Sequence, residues 1–410
     1  MQFKHTKLSN GLTIIAELNE NAYSASIGFF VRTGSRNESA EILGASHFLE
    51  HLVFKGSESL SAIDVNCRLD ELGADGNAFT ENEQTVFHIT LLPEFIGDAI
   101  ELFGDILRPA FREKDFKMEK QVILEEIRMY CDQPPFGADN IVRKNFFGNH
   151  PLANSVLGEE STTSKLSVEQ LKSYHAARYS PDNIVVVGTG KIEFDYFCNC
   201  VKKVFGKWEI SSSKSDIGDR HYRICGASGF HKLTKKSASQ QYTMLLSDAP
   251  SGVDSDFFAA LILTDIIGDS AGSRFYWEFI DNGIAETACM SIHEYSDNGF
   301  FGTALVSEPE NAQKIINDVK KIFVTIIQEG ITQDELERAK NKALTRIVIG
   351  SEGSDGRLFT IGGDWLMTGK YKTLKQESDL IRNITIEDIR NVLKKYPLDK
   401  SLIMTIGPTK

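Results

Sequence analysis

One segment places polar residues in apolar surroundings, and it reads Gly44-Ala45-Ser46-His47-Phe48-Leu49-Glu50-His51-Leu52-Val53-Phe54-Lys55-Gly56. His47, Glu50 and His51 stand at positions i, i+3 and i+4, which lie on one face of a helix. The residues between them are apolar, so most sides of this helix are expected to be buried. Buried imidazole and carboxylate groups need partners, and the segment therefore predicts a polar site inside the fold.

A zinc ion would be a suitable partner for these side chains. Two neutral histidine nitrogens one helical turn apart, on His47 and His51, can occupy adjacent corners of a tetrahedron. The carboxylate of Glu50 beside them then remains free to act on a bound water molecule. This HxxEH pattern is the reverse of the HExxH motif. The alternative is a hydrogen-bonded histidine pair in the core, without metal.

A third ligand is predicted on a later helical segment, where Glu119 and Glu126 are seven residues apart and share one face. Val122 and Ile123 are expected on that face as well, pointing toward the core. Glu125 is rotated by roughly 100° and is expected to face solvent. This pattern selects Glu126 as the third ligand and Glu119 as a carboxylate that orients a ligand or tunes the bound water. The alternative for Glu119 is an ordinary helix salt bridge.

Composition and charge restrict the classes of function. The chain has 410 residues, 41% hydrophobic and 25% charged, which is typical of a globular protein with one large domain or two ordinary ones. Its formal net charge of −12 argues against nucleic-acid binding, because neutralising phosphates needs a basic surface. Cationic substrates are favoured by the same charge; the alternative is that the acidity serves solubility alone.

The beginning of the chain predicts a cytoplasmic protein. Residues 1–20 carry Lys4 and Lys7 where a secretory signal needs its apolar stretch, and they lack the character of a transit segment. No apolar run reaches membrane-spanning length, so no membrane association is expected. Six scattered cysteines fit a reducing compartment better than a disulfide framework.

Strand and helix patterns alternate irregularly, which indicates an α+β fold. Strands are predicted at 3–8, 12–18, 24–32, 75–80, 84–91, 241–246 and 299–306, and helices at 42–55, 61–73, 93–107, 113–131, 257–267, 312–329 and 333–349. The segment 211–215 has the composition of a linker. We therefore predict a zinc-binding catalytic domain at 1–212 and a structurally related domain at 213–410, each a largely antiparallel sheet with helices packed on one face.

The sequence is similar to the inverzincin metallopeptidases, which include pitrilysin, insulin-degrading enzyme and the mitochondrial processing peptidase. The matching segments follow one another in order: 32–38, 47–56, 76–80, 119–126, 132–134, 157–158, 179–183 and 187–188. The resemblance implies that Glu126 is the third zinc ligand, with Glu119 at the upstream position. It also implies that an extended peptide adds to an exposed edge strand at Asn77, Ala78, Phe79 and Thr80. The alternative for that segment is a plain hairpin edge.

The implied reaction is hydrolysis of peptide bonds with one Zn²⁺ per chain. Zinc would polarise the scissile carbonyl and acidify its bound water, while Glu50 removes the proton and later protonates the leaving amine. Three protein ligands leave a fourth position open, as in catalytic sites. Other hydrolytic reactions at the same ligands stay open, although an edge strand suits an extended peptide better.

One departure from the family concerns an Arg and a Tyr in the second domain that are thought to bind the substrate backbone and stabilise the oxyanion. Glu286 stands where Tyr is expected, Phe279 or Ile280 stands where Arg is expected, and Arg274 is too far upstream. Short family members work as dimers, so a homodimer or a heterodimer with a paralogous subunit that supplies the Arg/Tyr pair is expected. The competing hypothesis is a non-catalytic or partner-dependent subunit.

Overall fold

The computed structural model describes residues 1–210 and 222–408, so the predicted linker at 211–215 and the boundary between 212 and 213 lie outside the described residues. The strands are β1 (Gln2–Lys7), β2 (Thr13–Leu18), β3 (Ala25–Val31), β4 (Asp75–Thr80), β5 (Thr85–Leu91), β6 (Ile184–Gly190), β7 (Gly229–Thr234), β8 (Gln241–Asp248), β9 (Thr287–Glu294), β10 (Gly299–Ser307) and β11 (Leu402–Gly407).

The helices include those that the sequence patterns predict at both the motif and the later carboxylate segment. They are α1 (Ala45–Val53), α2 (Ala62–Glu71), α3 (Ile96–Ile106), α4 (Glu113–Asp132), α5 (Ala138–Phe147), α6 (Glu160–Thr163), α7 (Val168–Arg178), α8 (Phe194–Phe205), α9 (Phe257–Gly268), α10 (Ala312–Glu329), α11 (Gln333–Gly350), α12 (Ser354–Thr368), α13 (Leu374–Arg382) and α14 (Ile386–Lys395). Among residues 1–210 and 222–408, no helix is long and apolar enough to cross a membrane.

The chain forms two compact units, each assembled from separated stretches of sequence. The first comprises the described residues of Met1–Met129, Asn154–Asp219 and Ile349–Lys372. The second comprises those of Tyr130–Ala153, Arg220–Val348 and Thr373–Lys410. Helix α5 therefore belongs to the second unit and helix α12 to the first.

Each unit contains one sheet with the same strand order. The sheets run β1-β2-β6-β3-β5-β4 and β7-β11-β8-β10-β9. In each, one neighbouring pair is parallel, β2 with β6 and β7 with β11, and the other pairs are antiparallel. Without β1, each sheet has five strands. If these five are numbered by their order along the chain, both sheets run 1-5-2-4-3 from one edge to the other. The prediction of two related α+β domains with largely antiparallel sheets is confirmed.

The N-terminal hairpin adds one strand to the first sheet. Strands β1 and β2 pair antiparallel from Gln2 opposite Leu18 to Lys7 opposite Thr13. The connecting turn places Gly11 at φ 85°, a conformation that glycine adopts without the strain of a Cβ atom. The Asn10-Gly11 dipeptide therefore predicts this turn, because the turn needs a residue with positive φ and Gly11 supplies it.

Most helices of the first unit pack on one face of its sheet. Alternate side chains of β3, including Ile27 and Phe29, join a core with Phe48 and Leu49 of α1 and Ile123 of α4, and all of these are fully buried. Strand alternation and helical periodicity thus bring together the faces that the sequence pattern marks as apolar. This core supports both helices that carry the candidate metal ligands.

Helix α12 covers the opposite face of the same sheet. Its apolar side chains and those beneath it form a second cluster, which contains Ile15, Phe30, Val86, Val185, Val187, Leu358, Ile361 and Leu366. Arg357 Nε and Nη2 donate to the two carboxylate oxygens of Glu17 at 2.8 and 2.6 Å, and the Tyr371 hydroxyl donates to Glu17 Oε2 at 2.6 Å. An apolar layer and a buried ion pair therefore attach α12 to the sheet.

Candidate metal centre

Helix α1 is fixed by its surroundings on both its apolar and its polar side. Phe48, Leu49, Leu52 and Val53 are at most 2% exposed, which confirms the predicted burial of this helix. At its N-terminus, the carboxylate of Glu38 accepts hydrogen bonds from the first turn. A carboxylate at a helix N-terminus satisfies N–H groups that have no partner within the helix and interacts favourably with the helix dipole.

Helix α4 presents its carboxylates largely as the sequence pattern predicts. Glu119 and Ile123 are buried, Glu126 is half-buried and Glu125 is exposed. The prediction for Val122 is wrong, because this side chain is 43% exposed. Val122 precedes Ile123 by one residue, so a rotation of about 100° carries it away from the buried stripe.

His47, His51 and Glu126 meet between α1 and α4. One ligand atom from each lies within 4.8 Å of the other two. Glu126 Oε2 is 3.9 Å from His47 Nε2 and 3.8 Å from His51 Nε2. These distances are too long for hydrogen bonds, so the three groups converge without bonding to one another.

The donor set fits zinc. In a tetrahedral zinc site with bonds of about 2.0–2.1 Å, neighbouring ligand atoms are about 3.3 Å apart. The three ligand atoms here lie within 4.8 Å of one another, so small side-chain movements would bring them to zinc-binding distances. Burial, together with the neighbouring His51, lowers the pKa of His47 to about 3. The ring is therefore neutral near pH 7, and its nitrogen lone pair is available to a metal.

His51 is linked through Glu119 to Lys55 in a row of three ionisable side chains. Its Nδ1 atom is 3.1 Å from Glu119 Oε2, and Lys55 Nζ is 2.7 Å from Glu119 Oε1. Burial favours a lower pKa for His51, but the hydrogen bond with Glu119 and the nearby carboxylates outweigh it and raise the pKa. Burial likewise opposes ionisation of Glu119, whose pKa is lowered on balance by His51 and Lys55. A ring nitrogen bonded to a carboxylate leaves the other nitrogen directed at a metal.

Glu50 lies beside the cluster and is held by a strand residue. Burial raises its pKa, although a hydrogen bond from Thr80 opposes this effect. The Thr80 hydroxyl donates to Glu50 Oε2 at 2.5 Å. Thr80 was expected from the resemblance only as part of a substrate-binding strand. Sequence reasoning missed its contact with Glu50, and no spacing pattern indicates it.

The segment predicted to bind substrate forms β4, which ends the order of the first sheet. Among the described residues it pairs with β5 alone, from Asp75 opposite Thr90 to Thr80 opposite Thr85. Asn77 is exposed, Ala78 is buried, and Phe79 and Thr80 are half-buried. The Ala78 N–H donates to the side-chain Oδ1 of Asn77 at 2.8 Å, a hydrogen bond within the strand. Because β4 has a strand partner on one side only among the described residues, it is an edge strand that can serve as a template for a further strand.

The second unit uses charge pairs between the corresponding helices. When the added strand β1 is left out of the count, α1 and α9 are each the first α-helix after the second strand of their unit, β3 and β8. By the same order, α11 corresponds to α4. Asp265 of α9 and Asp269, which directly follows α9, form ion pairs with Arg346 of α11, and Lys342 Nζ of α11 is 3.0 Å from Asp269 Oδ2. The only His/Cys/Asp/Glu cluster with metal-ligand geometry in the described parts of the chain is therefore that of the first unit.

The expected Arg/Tyr region of the second unit carries other contacts. Arg274 Nε donates to Glu335 Oε1 at 2.8 Å, so its guanidinium is engaged within the unit. Phe279 is fully buried, Ile280 is half-buried, and Glu286 accepts a hydrogen bond from the Gln240 side chain. None of these three side chains offers the cationic or phenolic group that the resemblance leads one to expect.

Comparison with known families accounts for most of the chain. Residues 13–160 match the family described as Insulinase (Peptidase family M16), and residues 165–343 match the domain described as Peptidase M16 inactive domain. The chain belongs to peptidase family M16. The expected resemblance to the inverzincins is thereby confirmed.

Relatives in the M16 family align along nearly the whole chain. An uncharacterized zinc protease of Bacillus subtilis, YmxG, is 28% identical over 409 residues, covering 99% of this chain and 98% of that protein. The mitochondrial-processing peptidase subunit beta of Saccharomyces cerevisiae is 28% identical, covering 94% of this chain and 86% of that subunit. The crystal structure of a protease from Helicobacter pylori shares the fold, with a TM-score of 0.93, 20% identity, and coverage of 99% and 100%.

Proposed function

We propose that this M16 chain is a zinc-dependent endopeptidase in which His47, His51 and Glu126 hold one zinc ion and Glu50 is the general base. The observation that carries the proposal is the convergence of three ligand atoms within 4.8 Å, with the Glu50 carboxylate one helical position from His51. Membership of a family whose matched relatives are named zinc proteases supports it.

The chain's own residues would divide the work of hydrolysis. Zinc held by His47, His51 and Glu126 would supply Lewis acidity toward a scissile carbonyl and a water molecule. Glu50 would accept a proton from the attacking water on a carboxylate oxygen and deliver it to the leaving amine nitrogen. Its burial raises its pKa, which makes it a stronger base than an exposed glutamate. Thr80 fixes the carboxylate orientation, and Glu119 fixes the His51 ring.

The substrate class that suits the site is an extended oligopeptide or an unfolded segment. A peptide that adds to the edge of β4 would run along Asn77, Ala78, Phe79 and Thr80. This path would bring it close to Glu50, because Thr80 is hydrogen-bonded to Glu50. The net charge of −12 favours basic peptides by long-range attraction. Cytoplasmic location stays a prediction.

A partner-dependent subunit is the second candidate. It is favoured by Phe279, Ile280 and Glu286 at the positions of the expected Arg/Tyr pair, and by the match of residues 165–343 to a domain described as inactive. A paralogous subunit in a clamshell dimer would then supply the missing groups. Mixing with a zinc-less paralogue should raise turnover about tenfold or more. Equal turnover with and without the paralogue would contradict this candidate and favour a self-sufficient homodimer.

The test of the proposed function combines zinc content with hydrolysis of a quenched basic oligopeptide. Wild type should hold about one zinc per chain and cleave the peptide, while Glu50→Gln should keep the zinc and lose turnover. Glu125→Gln is the matched control, because Glu125 neighbours Glu126 but is exposed. A wild type without zinc would overturn the proposal. Zinc without cleavage by the isolated chain would favour the partner-dependent candidate.

A further inference from the structure

The two histidines of the candidate centre are held in different ways. The His51 ring is oriented by its hydrogen bond with Glu119 at 3.1 Å. The Nδ1 atom of His47 is buried and has no hydrogen-bond partner among the described residues. Since no side chain orients the His47 ring through a hydrogen bond, its position depends on packing and on the backbone that carries it.

The backbone next to His47 is held by a buried carboxylate. Glu38 Oε2 accepts from the Gly44 N–H and Glu38 Oε1 accepts from the Ser46 N–H, both at 2.7 Å. Glu38 is 6% exposed and Ser46 is fully buried. Ser46 directly precedes His47 in the sequence. Short hydrogen bonds in a buried setting are stronger than exposed ones, because the local dielectric is low.

A buried tyrosine holds the same turn through the Ser46 side chain. The Tyr174 hydroxyl lies 2.9 Å from Ser46 Oγ and 2.8 Å from Thr33 Oγ1. Thr33 follows β3 and Tyr174 lies on α7, so the first turn of α1 is tied to the sheet and to a second helix. Tyr174 is 6% exposed, and water does not readily replace these bonds.

We propose that Glu38 and Tyr174 are positioning residues that fix the first turn of α1 and thereby place the His47 imidazole for zinc. This role rests on the proposed function, since it requires His47 to be a ligand. Glu38 and Tyr174 position His47 through its backbone, whereas Glu119 positions His51 through a hydrogen bond to its ring. Groups that support a ligand from behind commonly contribute about 10- to 100-fold to metal affinity.

If Glu38 and Tyr174 had only a structural role, their substitution would lower the stability of the protein and leave its zinc affinity unchanged. Tyr371→Phe is a matched control, because it removes a tyrosine hydroxyl that donates to a buried carboxylate, Glu17, at 2.6 Å. Its partner Glu17 lies on β2, on the sheet face that α12 covers, and none of the hydrogen bonds described above for α1 involves Tyr371. Tyr174→Phe and Tyr371→Phe therefore remove the same chemical group at two places.

The experiment uses the full chain as wild type, Tyr174→Phe, Glu38→Gln and Tyr371→Phe. Zinc dissociation constants come from competition with a chromophoric chelator, the visible spectrum of the Co²⁺-loaded protein reports ligand geometry, and thermal unfolding of the metal-free protein reports stability. Tyr174→Phe and Glu38→Gln should weaken zinc binding about tenfold or more and alter the Co²⁺ bands. Tyr371→Phe should lower the unfolding temperature and leave zinc affinity within about twofold of wild type.

Two outcomes would overturn the positioning role. The first is zinc affinity in Tyr174→Phe equal to that of wild type. The second is an equal loss of affinity in Tyr371→Phe, which would mean that general destabilisation is responsible. Failure of wild type itself to bind zinc would instead overturn the proposed function, and with it the basis of this role. Tyr174→Phe keeps the ring in place, so the test does not depend on Glu38→Gln folding.

Discussion

The Thr80 hydroxyl donates a 2.5 Å hydrogen bond to Glu50 Oε2, and this bond joins the edge strand β4 to the motif helix α1. A hydrogen bond to a charged group contributes about 1.5–3 kcal/mol. We expect Thr80→Val to lower kcat/KM at least about tenfold, because Val has the same shape and no hydroxyl. Zinc content should be unchanged. Peptide hydrolysis and elemental analysis measure both quantities.

Thr80→Ser is the control for that variant, because it keeps the hydroxyl and removes only a methyl group. Activity close to wild type is expected for it. If Thr80→Val were as active as Thr80→Ser, the hydroxyl would have no part in orienting Glu50.

Glu119 forms ion pairs with both His51 and Lys55, and its carboxylate contacts His51 on the ring nitrogen that faces away from Glu126. Glu119→Gln should weaken zinc binding about 10- to 100-fold, because the His51 ring loses its carboxylate partner. Chelator competition measures this change. Glu113→Gln on the same helix is the control, since Glu113 is paired with Lys117 and 64% exposed. Equal zinc affinity in the two variants would show that Glu119 serves only as an ion pair.

Glu38 predicts a pH dependence of stability. Burial raises its pKa from 4.5 to about 7, against the hydrogen bonds from the Ser46 and Gly44 N–H groups. Between these values the unfolded chain releases a proton that the folded protein keeps. This contribution to the free energy of unfolding is therefore complete below about pH 4.5 and is lost as the pH rises through about 7. The full loss is on the order of 3 kcal/mol.

The measurement is urea unfolding of the metal-free wild type and Glu38→Gln at several pH values. The difference in unfolding free energy, wild type minus variant, should fall from pH 5 to pH 8, because the variant has no carboxyl to titrate there. Tyr174 faces Glu38, but burial raises its pKa above this range. Parallel curves for the two proteins would contradict the assignment of the effect to Glu38.

Two adjacent glycines of α12 should respond oppositely to alanine. A Cβ at Gly362 would overlap the ring of Phe30, which is 1% exposed, whereas a Cβ at Gly363 would meet no atom within 4 Å apart from its chain neighbours and the backbone of its own helix. Gly362→Ala should lower the unfolding free energy by about 1–3 kcal/mol through overpacking. Gly363→Ala should raise it by up to about 1 kcal/mol, because alanine is the better helix former. Urea unfolding distinguishes them, and equal effects would contradict the close packing of α12 on the sheet.

Helical spacing made much of the candidate site predictable. The positions of His47, Glu50 and His51 on one helix, and of Glu119 and Glu126 on another, follow from 3.6 residues per turn. The same rule was too coarse for Val122, which lies just outside the buried stripe. Side chains one residue apart point about 100° away from each other around the helix. The apolar character of Val122 and Ile123 does not reveal which of the two side chains the other helices and strands will bury.

Contacts between distant segments were not predictable from spacing. Thr80 reaches Glu50 because β4 lies beside α1, and Lys55 reaches Glu119 because α1 lies beside α4. The pair of Arg357 and Glu17 joins residues 340 positions apart. Each depends on which elements pack together, and that is decided by the combined burial of many side chains.

The position of α12 makes the metal-site unit hard to excise from the chain. A fragment that ends at residue 210 would retain His47, His51 and Glu126 but would lack α12, and the sheet face that includes Ile15 and Phe30 would be left in water. A continuous apolar patch of that kind favours aggregation. During synthesis the same face stays uncovered until Ser354–Thr368 has left the ribosome, so this unit matures only after most of the second has been made.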